Sequence, residues 1–119
     1  MRHKIWCLFL FIAVQSCYYD VEEDFTEMTD CDTSSVTYSS TIVDIVSNRC
    51  YKCHAAALNL GNVTLEGYQK IKIYIDNGRL IGAINRLPGF SPMPQNEAML
   101  PDCDINKIET WINNGAPNN

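Results

Sequence analysis

The sequence predicts an all-α domain placed behind an exported, acidic N-terminal segment. Three observations carry that expectation. Apolar residues recur at helical spacing in separate stretches, glycine and proline punctuate the chain between them, and no stretch reads as part of a sheet. At 119 residues with balanced composition the chain has room for one small domain.

The first element is not part of that domain. "MRHKIWCLFLFIAVQSC" opens with Arg2, His3 and Lys4, runs apolar from Ile5 to Val14, then meets Ser16 and Cys17. A charged start followed by a short apolar run is the pattern of a secretory signal. The apolar run is about ten residues, half of the roughly 20 that span a bilayer. "VQSC" resembles a bacterial lipobox, in which cleavage leaves the cysteine as a lipidated N-terminus. An ordinary signal cut nearby is the alternative, and either one exports the chain. The expected division is therefore a signal peptide over residues 1–16, a lipidated N-terminus and linker over 17–35, and the domain over 36–119.

Residues 18–32, "YYDVEEDFTEMTDCD", carry seven of the fourteen acidic residues and no basic one. A solvated spacer that holds the domain off a membrane accounts for such a run, with an acidic docking surface as the alternative. From Thr33 onward seven acids balance seven bases. There is no basic stripe and no aromatic–basic interleaving, so nucleic acid is not an expected partner.

Within the domain, Ile42, Val43, Ile45, Val46 and Cys50 fall at helical spacing, predicting a helix from about Thr41 to Asn48 or Cys50 capped by Ser39 or Ser40. "AAALNLGNV" follows as a loop. "TLEGYQKIKIYIDNG" predicts a second helix, with Thr64 as N-cap, Leu65, Tyr68, Ile71 and Ile75 on one face, and Gly78 at its end. "RLIGAINR" adds a short third helix. "LPGFSPMPQNEAML" holds three prolines and a glycine and reads as a constrained loop. The last helix, in "PDCDINKIETWINNGAP", has acids in its first turn, a stripe of Ile105, Ile108, Trp111 and Ile112, and Gly115 just past its end.

Six cysteines sort into three groups. Cys7 leaves with the signal and Cys17 takes the lipid. Cys31 and Cys103 form one pair, expected to be a disulfide in an exported protein. Cys50 and Cys53 belong to "RCYKCH", where His54 directly follows the second cysteine. Two thiols at i and i+3 reach two neighbouring edges of a macrocycle from one helical turn, and the adjacent imidazole comes beneath its centre. That is the chemistry of a covalently attached haem, with Cys50 and Cys53 in the thioethers and His54 as an axial ligand. Zinc is a competitor, drawing on Cys31, Cys50, Cys53, His54 and Cys103, but no second ligand pair has the usual spacing. A redox dithiol is another, though it expects a strand before the pair rather than a helix.

His3 goes with the signal, so His54 is the only histidine of the mature chain. Met28, Met93 and Met99 remain as sixth-ligand candidates. Met93 stands between Pro92 and Pro94, whose fixed φ angles hold a loop in place, and is the favoured one. Met99, at the mouth of the last helix, is the runner-up, and Met28 lies in the acidic spacer.

With these residues in view, the chain resembles class I c-type cytochromes, and more narrowly small bacterial lipoprotein cytochrome c domains. The likeness rests on "CDTSSVTYSSTI", "RCYKCH", "GRLIGAINRLPGFSPMP" and "LPDCDINKIETWINNGAPNN", and covers roughly residues 31–119. It implies a cytochrome c-like helical domain around one haem c, thioethers at Cys50 and Cys53, proximal ligation by His54 and distal ligation by Met93. It also implies that the last helix packs across the first through Trp111. Many relatives of that kind carry a proline soon after the haem motif, whose carbonyl orients the histidine. Here no proline occurs between His54 and Pro88, so the sequence does not identify that acceptor. The expected function is a single-electron carrier, not an enzyme. It would sit in the periplasm or cell envelope, be anchored to membrane through its N-terminal lipid, and meet redox proteins as electron donor and acceptor. A haem module that binds CO or NO is the alternative.

Overall fold

A computed structural model describes residues 31–119. The expected signal peptide, lipidated Cys17 and Met28 lie outside the described residues. The described part is helical, with no strand in it. No helix among these residues is long and apolar enough to cross a membrane.

The first helix opens as a π-helical turn, Tyr38–Ile42, and continues as α1, Val43–Arg49. It starts earlier than the apolar spacing indicates, because Thr37, not Ser39 or Ser40, is its N-cap: the Thr37 side chain accepts from the Ser40 N–H. The C-terminal residue contributes too, since Asn119 accepts from the Tyr38 and Ser39 N–H groups through its side chain and its carbonyl. Such donors at a helix start have no partner within the helix, and the far end of the chain supplies two.

At Cys50 the backbone bends to φ −116° and a separate turn follows, α2, Tyr51–His54. A loop with a 3₁₀ turn at Leu60–Asn62 leads to α3, Tyr68–Asp76, then α4, Arg79–Ile84. The second helix was expected to begin behind Thr64. Instead Thr64 donates its hydroxyl to the Asn59 side chain, and the Leu65 N–H is spent on the His54 carbonyl. The helix starts only after Gly67, whose φ of 94° suits glycine alone. The last helix, α5, Asp102–Asn113, ends as its sequence indicates. Gly115 adopts φ 91°, its N–H donates to Ile112, and the Ala116 N–H reaches back to Trp111. These two bonds are the glycine-terminated helix end that satisfies otherwise orphaned carbonyls.

The core is one cluster built from the π-helical turn, α1, α3, α4 and α5: Ile42, Ile45, Val46, Ile71, Leu80, Ile84, Ile105, Ile108 and Trp111 are all buried. Trp111 is fully enclosed and stacks on Tyr38 with ring centroids 5.7 Å apart, so α5 lies against the first helical turn. No side-chain polar atom among the described residues is buried without a partner.

Cys31 and Cys103 form a disulfide across a sequence separation of 72 residues, with Cα atoms 5.4 Å apart. It ties the start of the domain to the first turn of α5. Closing a loop of that length contributes about 4 kcal/mol in the chain-entropy account. A Cys31→Ser/Cys103→Ser variant is therefore expected to lose roughly 2–4 kcal/mol of unfolding free energy. Urea denaturation of the two proteins under non-reducing conditions measures the difference. Equal midpoints would show that the bridge adds nothing to the folded domain.

Candidate functional site

The two cysteines and the histidine meet through backbone geometry before any side chain is considered. The Cys53 and His54 N–H groups both donate to the Cys50 carbonyl, at 3.1 and 2.9 Å, and the Cys50 N–H donates to Val46 at 2.8 Å. One turn of backbone thus holds residues 50, 53 and 54 together at the end of α1, on the side where three- and four-residue spacings converge. Cys50 and Cys53 are unbridged and half-buried.

These three residues line a cavity of about 670 Å³. Its inner wall is apolar and continuous with the core, formed by buried Leu65, Leu80, Ile84 and Leu100. Its rim includes the exposed Leu60 and the half-exposed Phe90, with the cations Arg49, Lys52 and Arg79. Each cation has a partner: Arg49 pairs with Asp104 at 3.2 Å, Lys52 with Glu97, and the Arg79 guanidinium lies 5.5 Å from the centre of the Tyr74 ring. A volume in the range of about 300–1,000 Å³, largely apolar with a few polar groups, is what cofactor sites have.

The 85–100 loop supplies another part of the wall. Met93 lines the cavity, and its N–H donates to the Ala83 carbonyl at the end of α4, at 3.0 Å. The Leu87 N–H does the same to Gly82 at 2.9 Å, so the loop is fastened to α4 at two points. Lys52, between the two cysteines, and Glu97, four residues past Met93, join the two sides of the cavity. Arg86 donates to the Glu97 carbonyl at 2.6 Å. Met99 is 40 % exposed and is not part of the cavity wall, so of the two described candidate methionines only Met93 shares a space with His54.

His54 carries the feature that sequence reading could not supply. Its Nδ1 lies 3.1 Å from the Val63 carbonyl oxygen. A carbonyl only accepts, so Nδ1 bears the proton and Nε2 is left with the lone pair that a metal would use. Partners of this kind fix a ligating imidazole's tautomer and orientation. Val63 reaches this place because the loop curls back: Asn59, Gly61 and Asn62 all take positive φ, at 43°, 66° and 57°. The Leu65 N–H to His54 carbonyl bond, at 2.9 Å, closes the curl. Asparagine and glycine are the residues that tolerate such angles, so "NLGN" was a turn signal, but nothing in it marked one carbonyl as the acceptor.

The competing readings of the cysteines lose ground here. Cys31 and Cys103 are bonded to each other, which takes two of the five candidate ligands away from a zinc site. Burial pushes the Cys50 thiol up to about 11, against the smaller opposing pull of Lys52 and Arg49. A thiol poised for disulfide exchange is shifted the other way.

A flat macrocycle fits what is present. The cavity is apolar and large enough, two thiols and an imidazole with a free Nε2 line it from one helical turn, and a thioether lines it from a separate loop. Comparison with protein-family models, with curated proteins and with solved structures finds no match to this chain.

Proposed function

We propose that this protein is an exported electron carrier with one covalently held haem c, as its resemblance to c-type cytochromes implies. The observation that carries the reading is the single cavity that Cys50, Cys53, His54 and Met93 all line. Bound there, a haem would supply one reversible electron per cycle. The two cysteines hold it by thioethers. His54 binds through Nε2, with its other nitrogen kept in place by Val63, and Met93 binds through sulfur. With both protein ligands engaged no position is left for oxygen or peroxide, which favours transfer over catalysis. A thioether ligand also raises the potential relative to a second nitrogen ligand. Leu65, Leu80, Ile84 and Leu100 exclude water from the inner wall, while the open rim at Leu60 and Phe90 leaves an edge within reach of a partner protein.

Export has its own support. The disulfide at Cys31–Cys103 belongs to an oxidising compartment, where covalent haem attachment also takes place. We place the protein in the cell envelope, tethered by lipid at Cys17, with redox proteins as donor and acceptor.

The test is an optical spectrum, oxidised and then reduced, of the full chain exported in a host with the c-type maturation machinery. A c-type spectrum with the far-red methionine–ferric-iron band is expected, and Met93→Ala is expected to lose that band and to bind CO in the ferrous state. Haem with no such band in the wild type, or CO binding by the wild type without denaturant, would replace the carrier with a gas-binding module. Protein that matures without any haem would end the proposal.

A further inference from the structure

Gly82 sits in the middle of α4, buried, and not at a positive φ. Neither a turn nor a backbone angle asks for glycine there, and glycine is a poorer helix former than any ordinary residue. What asks for it is space. A Cβ on Gly82 would stand 2.5 Å from both Cγ and Cδ2 of Phe90 and 2.6 Å from its Cδ1. The aromatic ring thus occupies the place a side chain would take, pressed directly on the helix backbone. Phe90 lies in the loop that carries Met93, between the two backbone bonds that fasten this loop to α4, Leu87 to Gly82 and Met93 to Ala83.

We infer that Gly82 and Phe90 form a positioning pair, in which the Phe90 ring seated on the bare Gly82 backbone holds the Met93 thioether at its place in the cavity wall. The inference rests on the proposed His54/Met93 ligation and adds the device that sustains it. Two backbone hydrogen bonds pin single points of this loop, one at exposed Leu87 and one at half-buried Met93. A ring locked against a helix that cannot yield resists displacement of the whole 87–93 segment. An added methyl group at residue 82 has no room, and because α4 is packed into the core through Leu80 and Ile84, the ring and its loop must move instead. Met93 then leaves its position while Cys50, Cys53 and His54, on a different element, keep theirs.

The test uses the full chain matured with haem, as wild type, Gly82→Ala, Phe90→Leu, the double variant Gly82→Ala/Phe90→Leu, and Leu58→Ala as an exposed control away from the cavity. Three quantities are read: the far-red methionine band, CO binding by the ferrous protein, and hydrogen-exchange protection of the Met93 amide. Gly82→Ala is expected to keep its haem through denaturation, to lose the band and the Met93 protection, and to bind CO. The double variant is expected to recover part of the band, because leucine can retreat from the new methyl group. Leu58→Ala is expected to match wild type. A Gly82→Ala protein identical to wild type in all three readouts overturns the inference, and so does a double variant no better than the single one. If Gly82→Ala yields no holoprotein, Phe90→Leu alone decides: a weakened band with CO binding supports the pair, and an unchanged protein refutes it. A wild type without the band defeats the ligand reading beneath, which separates that failure from this one.

Discussion

A Cys50→Ala/Cys53→Ala variant, exported alongside the maturation machinery, is expected to carry no haem through denaturing electrophoresis, while the wild type keeps one per chain. The reason is positional. Both cysteines belong to a single turn closed on the Cys50 carbonyl, and both line the cavity, so they are the two sulfurs placed to bond a group held there. The other cysteines of the described residues, Cys31 and Cys103, are occupied with each other. Single variants should retain one thioether and stain more weakly, and His54→Ala should attach haem inefficiently with an altered spectrum. Haem that remains covalently bound in the double variant would place the attachment elsewhere and remove the basis of the proposed carrier.

Trp111→Ala is expected to be the most destabilising single substitution in the core. Trp111 is fully enclosed, stacks on Tyr38 at 5.7 Å, meets the Tyr68 ring edge-on at 6.5 Å, and donates its indole N–H to the Pro117 carbonyl at 2.9 Å. Removing a buried tryptophan costs about 3–5 kcal/mol through lost transfer energy and the cavity left behind. Against a total stability of roughly 5–15 kcal/mol that is a large share, and a domain this small sits toward the low end. Trp111→Phe keeps the stacking and loses the indole bond, so it should cost only about 1–3 kcal/mol. Urea unfolding followed by circular dichroism reads both. A loss below about 1 kcal/mol for Trp111→Ala would mean that the aromatic cluster does not hold α5 to the first helix.

Several features were legible because they are properties of local sequence. The stripe at Ile105, Ile108 and Trp111 announces both the last helix and its buried face, and each of the three is buried. Gly115 ends that helix with the positive φ its residue type allows. The spacing of Cys50, Cys53 and His54 puts them on one turn wherever that turn happens to lie. The misreadings come where distant residues intervene. Thr64 has the chemistry of an N-cap, but Leu65 is pulled to the His54 carbonyl, so the helix cannot begin until Gly67 has turned the chain. Thr37 caps the first helix, with Asn119 from the other end of the chain completing it, and no window around residue 40 contains that contact.

The order and faces of the helices, the pairing of the cysteines and the residue types of the site were thus present in the sequence itself, because each depends on spacing of a few residues or on counting. Tertiary structure alone decided three things. It placed Met93, and not Met99, in the same cavity as His54; it made the Val63 carbonyl the partner of Nδ1; and it set Phe90 on Gly82. Each is a meeting of groups separated by eight to 39 residues along the chain. Two of the three involve groups that spacing patterns cannot register: a backbone carbonyl, which every residue has, and a missing Cβ, which matters only once another side chain needs its space.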